Sequence, residues 1–196
     1  MPQTEKQKKL FMLLVIGAGI GILLGLFFMA VLSKGNKELV SRTIDGFMMQ
    51  VEKGNMNYSS ALFHSVTRNM MEGGLIFFLG MSIIGIPITM FLFFGHAFTL
   101  GFSISGIFYV YKWRGILLIL VYILPQILNL VLFLILCYFS LLFSKYLFYQ
   151  LFLKREISFK RIMRRYVKVF GICFVLLIVS SVIEVFLVPE ILKFVL

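Results

Sequence analysis

Acid is scarce in this chain. Only eight of its 196 residues are Asp or Glu, against nineteen Lys or Arg, and charged residues together make up 14%. An ordinary soluble domain carries about 25%, so the charge needed to cover a water-facing surface is missing. Cysteine is nearly absent too. Cys137 and Cys173 both lie in apolar runs, which excludes a disulfide framework and marks them as packing residues. The two histidines, His64 and His96, fall in no metal-ligand spacing such as H-E-x-x-H, so neither a metal nor a cofactor is expected. His96, next to Gly95, reads as a solvated turn residue. No paired intramembrane aspartates and no nucleophile–base set occur, so no residue is assigned a catalytic role and the chain does not read as an enzyme.

What is abundant is hydrophobicity, at 61% with 23 phenylalanines. The bilayer is therefore the solvent, and the fold class is an all-α polytopic membrane bundle. The net charge of +11 could suggest nucleic acid. However, the cations flank apolar segments and do not alternate with aromatics on a polar surface, so membrane headgroups are the partner and nucleic acid is not.

Five crossings are predicted, at about 10–32, 74–94, 97–111, 115–143 and 169–188, in one domain spanning 1–196. The first follows a basic start and is too long for a signal core. The long connection 33–69 divides into two short amphipathic helices, the second opening at Ser59 and Ser60. Gly95 and His96 make the turn between the second and third crossings. Lys112, Trp113 and Arg114 mark a water interface. Pro189 ends the fifth crossing.

Residues 145–168 hold eight Lys or Arg against one Glu. Phe159, Ile162, Met163, Tyr166, Val167 and Phe170 recur at helical spacing, and Ser158 can cap their start. Lys160, Arg161, Arg164, Arg165 and Lys168 fall on the other face, where they would meet lipid headgroups. The positive-inside rule puts this loop and the N-terminus in the cytoplasm, and the 33–69 loop and C-terminus outside.

Gly17, Gly21 and Gly25 form a small-residue row at four-residue spacing, and Ala97, Gly101 and Ser105 form another. Such rows let helix backbones meet in lipid. Packing within the chain is the first reading, and a homo-oligomer seam is the other. Pro125, Gln126 and Asn129 interrupt an apolar run and must face protein, because an exposed amide in lipid is costly. Serines of the last crossing, Ser180 or Ser181, are their expected partners. Glu184 is the one acid placed well inside a predicted crossing, with Lys112 or Arg114 within snorkelling reach.

The string Leu79-Gly80-Met81-Ser82-Ile83-Ile84-Gly85-Ile86-Pro87, then Gly95, Gly101-Phe102, Pro125-Gln126, Asn129, Glu184 and Pro189, resembles the stage II sporulation protein M family over about residues 60–190. The resemblance implies a non-enzymatic protein of the mother cell membrane at the sporulation septum. It would hold two peptidoglycan-degrading partners, stage II sporulation proteins D and P, during engulfment. Partner contact is expected on the outer loop at Phe47, Met48, Leu62 and Phe63, whose apolar face exceeds what a linker needs. The competing class is a small transporter or channel built on a broken second helix and the Gln126 and Asn129 pair.

Overall fold

The computed structural model describes residues 2–153 and 159–195. Among these every regular element is helical: α1 (Pro2–Val31), α2 (Lys34–Glu52), α3 (Tyr58–Gly80), α4 (Gly85–Tyr111), α5 (Gly115–Leu153), α6 (Phe159–Val182) and α7 (Val188–Val195). A short 3-10 turn, Lys112–Arg114, joins α4 to α5, and a π-helical turn, Ile183–Leu187, joins α6 to α7. Three stretches are long and apolar enough to cross a membrane: Gln7–Val31, Gly85–Leu151 and Phe159–Lys193. The Lys112–Arg114 turn folds the middle one into the antiparallel pair α4 and α5.

The contacts fix the direction of each helix. Gly21 meets Ala97, and Gly25 meets the backbone at Phe98 and Phe102, so α1 runs parallel to α4. Cys137 reaches the Thr89 carbonyl and His96 packs on Phe133, so α5 runs against α4. Tyr166 donates to the Phe77 carbonyl and Asn69 donates to Ser181, so α6 runs against α3. One end of the bundle therefore gathers the start of α1, the 81–84 turn, the end of α5 and the start of α6. The other gathers α2, the start of α3, the Lys112–Arg114 turn and α7. Lys8, Lys9, Lys145, Lys160, Arg161 and Arg164 lie toward the first end, while the second carries both signs: Glu38, Asp45, Glu52 and Glu190 together with Lys34, Lys37, Arg42, Lys53, Lys112, Arg114 and Lys193.

Several expectations change. The predicted 74–94 segment is not one helix: it divides between the end of α3 and the start of α4, and α4 runs unbroken through Gly95 and His96. The turn falls at 81–84. Pro87 is the third residue of α4, where its missing N–H would have found no intrahelical acceptor anyway. A Cβ at Gly85 would collide with the Leu79 carbonyl, so the tightness of this turn requires glycine there. The second amphipathic helix expected at 59–69 is the first half of α3. Asn57 caps it, accepting from the Ser60 amide at 3.1 Å.

The fourth segment extends past residue 143 to Leu153. Its 39 residues make about 58 Å of helix, more than a ~30 Å hydrocarbon core holds, so α5 projects at the basic end. Pro189 does not end the last crossing. The wide π turn immediately before it carries the chain past a residue with no N–H to give, and α7 follows. The expected cap Ser158 lies outside the described residues.

Two cores result. The larger joins α1, α3, α4, α5 and α6 around Phe133, Leu136, Tyr166 and Phe170. The smaller seats α2 and α7 on the ends of α4 and α5 through Met48, Val51, Leu118 and Leu192.

Candidate functional site

Helix α3 packs on α4, α5, α6 and the π turn, and it brings a polar stripe to them. Ser65, Arg68, Asn69 and Glu72 recur at i, i+3, i+4 and i+7, which places them on one face. Each finds a partner on another helix. Ser65 donates to Glu184 Oε2 at 2.9 Å, and Gln126 Nε2 donates to Glu184 Oε1 at 2.9 Å. An Arg68 guanidinium nitrogen lies 3.9 Å from Glu184 Oε1. Asn69 donates to Ser181 Oγ at 2.9 Å. Glu72 lies 3.1 Å from His96 Nδ1.

Arg68 follows Tyr58 by ten residues and Gln126 follows Gly115 by eleven, so both sit about 15 Å along their helices from the end that carries α2. Charged and amide side chains that meet between apolar helices are candidates for function, and π turns inside helices concentrate at functional sites.

Glu184 and Arg68 form the floor of a cavity of about 780 Å3. Helix α2 lies along one side through Val40, Ile44 and Phe47. Phe102, Ile107 and Leu118 supply apolar wall, and Ser65, Ser103, Tyr122 and Gln126 bring polar atoms to it. The cavity lies toward the end that carries α2.

The sequence-assigned residues separate. Pro125, Gln126 and Glu184 line the cavity, but Asn129 is sealed in the core with neither amide atom hydrogen-bonded. Ser180 Oγ lies 3.5 Å from the Pro125 carbonyl. Glu184 pairs with Arg68, not with Lys112 or Arg114. Those two stay in the turn at the bundle end, whereas α3 carries Arg68 down beside the carboxylate. His96 is not a solvated loop residue. Its side chain is 12% exposed, and its ring packs 4.4 Å from that of Phe133.

Gly21, Gly25, Ala97 and Gly101 meet at the α1–α4 crossing, where a Cβ on Gly101 would collide with the Ile22 carbonyl. Gly17 touches nothing within 4 Å at its Cβ position, and Ser105 donates to its own helix at Phe102. Met48 is buried and holds α2 down, so it offers no surface to a partner. Phe47 and Phe63 are exposed, at 41% and 70%, and Leu62 is half-buried. Lys160, Arg161, Arg164, Arg165 and Lys168 are all exposed. Tyr166 and Phe170 turn inward, while Phe159 and Val167 of the same apolar stripe stay on the surface.

Sequence reasoning missed Ser65, Arg68, Asn69, Glu72 and His96. The first four carried a signal, a polar stripe at helical period leading into the apolar run 73–80. Among the described residues no group of three His, Cys, Asp or Glu could hold a metal ion.

Comparison with known proteins adds one assignment. A family model described as Stage II sporulation protein M matches residues 11–189. No curated protein and no solved structure matches the chain.

Proposed function

The chain belongs to the stage II sporulation protein M family, and from that premise we propose that it is a non-enzymatic membrane scaffold of spore formation. It holds the peptidoglycan-degrading stage II sporulation proteins D and P in the mother cell membrane at the septum during engulfment. The partners' catalytic domains must work on the wall, so the gripping surface belongs on the outer side. The observation that carries this reading is the apolar rim at the end that holds α2. Leu39 and Phe47 of α2 line the cavity and are 69% and 41% exposed, and Phe63, near the start of α3, is 70% exposed, more apolar surface than α2 needs to seat itself. The opposite end bears the dense cations, which the positive-inside rule assigns to the cytoplasm. Phe63→Glu should abolish co-purification of the two hydrolases from sporulating cells while leaving membrane insertion intact. Unchanged recovery of both would refute the docking surface.

A transporter or channel is the second reading, favoured by one observation: Arg68 and Glu184 line an open cavity between the helices. The helix break at 81–84 lies at the bundle end, so it contributes no mid-membrane site. Solute flux into proteoliposomes, lost in Gln126→Leu, would establish this reading, and no flux for either chain would remove it.

A further inference from the structure

We propose that the cavity between α2 and the Arg68–Glu184 floor binds one single-chain anionic amphiphile, a lipid with a carboxylate or phosphate head. The head sits on Arg68 and the chain lies along the apolar wall.

The charge pattern selects the sign of the head. Glu184 already accepts two hydrogen bonds at 2.9 Å, from Gln126 and Ser65. Its carboxylate therefore has little need of a cation from outside. Arg68 is paired with Glu184 through one approach only, which leaves most of its N–H donors for a second oxyanion. Guanidinium has five N–H donors in a fixed fork, and its approach to Glu184 is a loose 3.9 Å with the side chain 54% exposed. An oxyanion with two oxygens is the geometry that such a fork receives best. His64, one turn earlier on α3, lines the same cavity and can add a donor.

The shape selects the rest of the ligand. Ile44, Phe47, Phe102, Ile107 and Leu118 give the walls an aliphatic and aromatic lining that suits a hydrocarbon chain. A volume of about 780 Å3 falls within the ~300–1,000 Å3 of small-molecule sites. A helix about 10 Å across would fill that volume in about two turns, so a hydrocarbon chain matches the cavity more closely than a partner's helical anchor does.

The test uses the purified full-length chain in neutral detergent and fluorescent sixteen-carbon chains with three heads: carboxylate, phosphate and trimethylammonium. The carboxylate or the phosphate chain, or both, should bind at one per protein and at least tenfold tighter than the cationic chain. Tightest binding of carboxylate points to a fatty acid, and tightest binding of phosphate points to a phosphoryl-headed lipid. Arg68→Gln should weaken anionic binding at least tenfold. Thr43→Trp, a surface change on α2 at the cavity, should block every chain, and it decides the matter should Arg68→Gln fail to fold. Equal binding of the cationic chain, or binding unmoved by Thr43→Trp, would overturn the proposal, because the chains would then be coating the lipid-facing surface.

Discussion

Two alanine substitutions in one glycine row should have opposite effects. Gly17 and Gly25 are both in α1 and both belong to the four-residue small-residue pattern. In each case Gly→Ala in a helix interior gains about 0.5–1 kcal/mol of backbone entropy and propensity. At Gly17 nothing lies within 4 Å of the new Cβ, so the gain stands alone. At Gly25 the Cβ would enter the backbone of α4 at the Phe98 carbonyl, with the Phe102 nitrogen 2.7 Å away. Backbone atoms cannot rotate aside, so α1 must back away from α4, and forced overpacking of this kind costs about 1–3 kcal/mol. The propensity term is common to both variants and cancels in their difference. Gly25→Ala should therefore be less stable than Gly17→Ala by about 1–3 kcal/mol in reversible unfolding from mixed micelles. Gly101→Ala collides with the Ile22 carbonyl of the same crossing, so adding it to Gly25→Ala should cost less than the two losses summed. Equal stability of Gly17→Ala and Gly25→Ala would refute the α1–α4 packing described above.

Three further outcomes test other contacts. A double-mutant cycle between Gln126→Leu and Glu184→Leu should yield a coupling of about 0.6–1.7 kcal/mol, the range of interhelical hydrogen bonds in membranes, and zero coupling would separate the pair. Met48→Lys places a charge in the packed seat of α2 and should cost about 2 kcal/mol or more, whereas Met49→Lys, at a site 57% exposed, should stay within about 0.5 kcal/mol. Limited proteolysis of α2 reads that contrast, and equal sensitivity would mean that α2 is not seated as described. Tyr166→Phe keeps the ring stacked between Phe77 and Phe143 and removes the hydroxyl, which donates to the Phe77 carbonyl and lies beside Ser140, so thermal stability should fall by about 0.6–1.7 kcal/mol. A loss several times larger would show that the ring itself had moved.

The membrane class, the small-residue rows and the separate polar positions Gln126 and Glu184 were legible because each is a departure from an apolar background, but that Gln126 and Glu184 bond each other was not. The extent of α3 was not legible either. Hydropathy reads Arg68 and Glu72 as reasons to end a membrane segment, but each acts through a partner on another helix, Glu184 on the turn after α6 and His96 on α4. That information is tertiary. The misplaced turn is a different kind of error. Gly95-His96 carries turn-forming residues and no turn, while Gly80, Ser82, Gly85 and Pro87 together spell a helix stop and restart. Asn129 was read correctly as facing protein, yet the sequence could not show that it sits below the cavity and not in it.

The account depends most on which end of the bundle meets the wall. Cys137 and Cys173 are buried, so single added cysteines report with little background. Arg42, 78% exposed on α2, and Lys160, exposed near the start of α6, lie toward opposite ends. In intact cells a membrane-impermeant maleimide should label Arg42→Cys and spare Lys160→Cys until the membrane is opened. Labelling of Lys160→Cys with protection of Arg42→Cys would put α2 and its apolar rim in the cytoplasm, away from the wall, and the scaffold reading would fail.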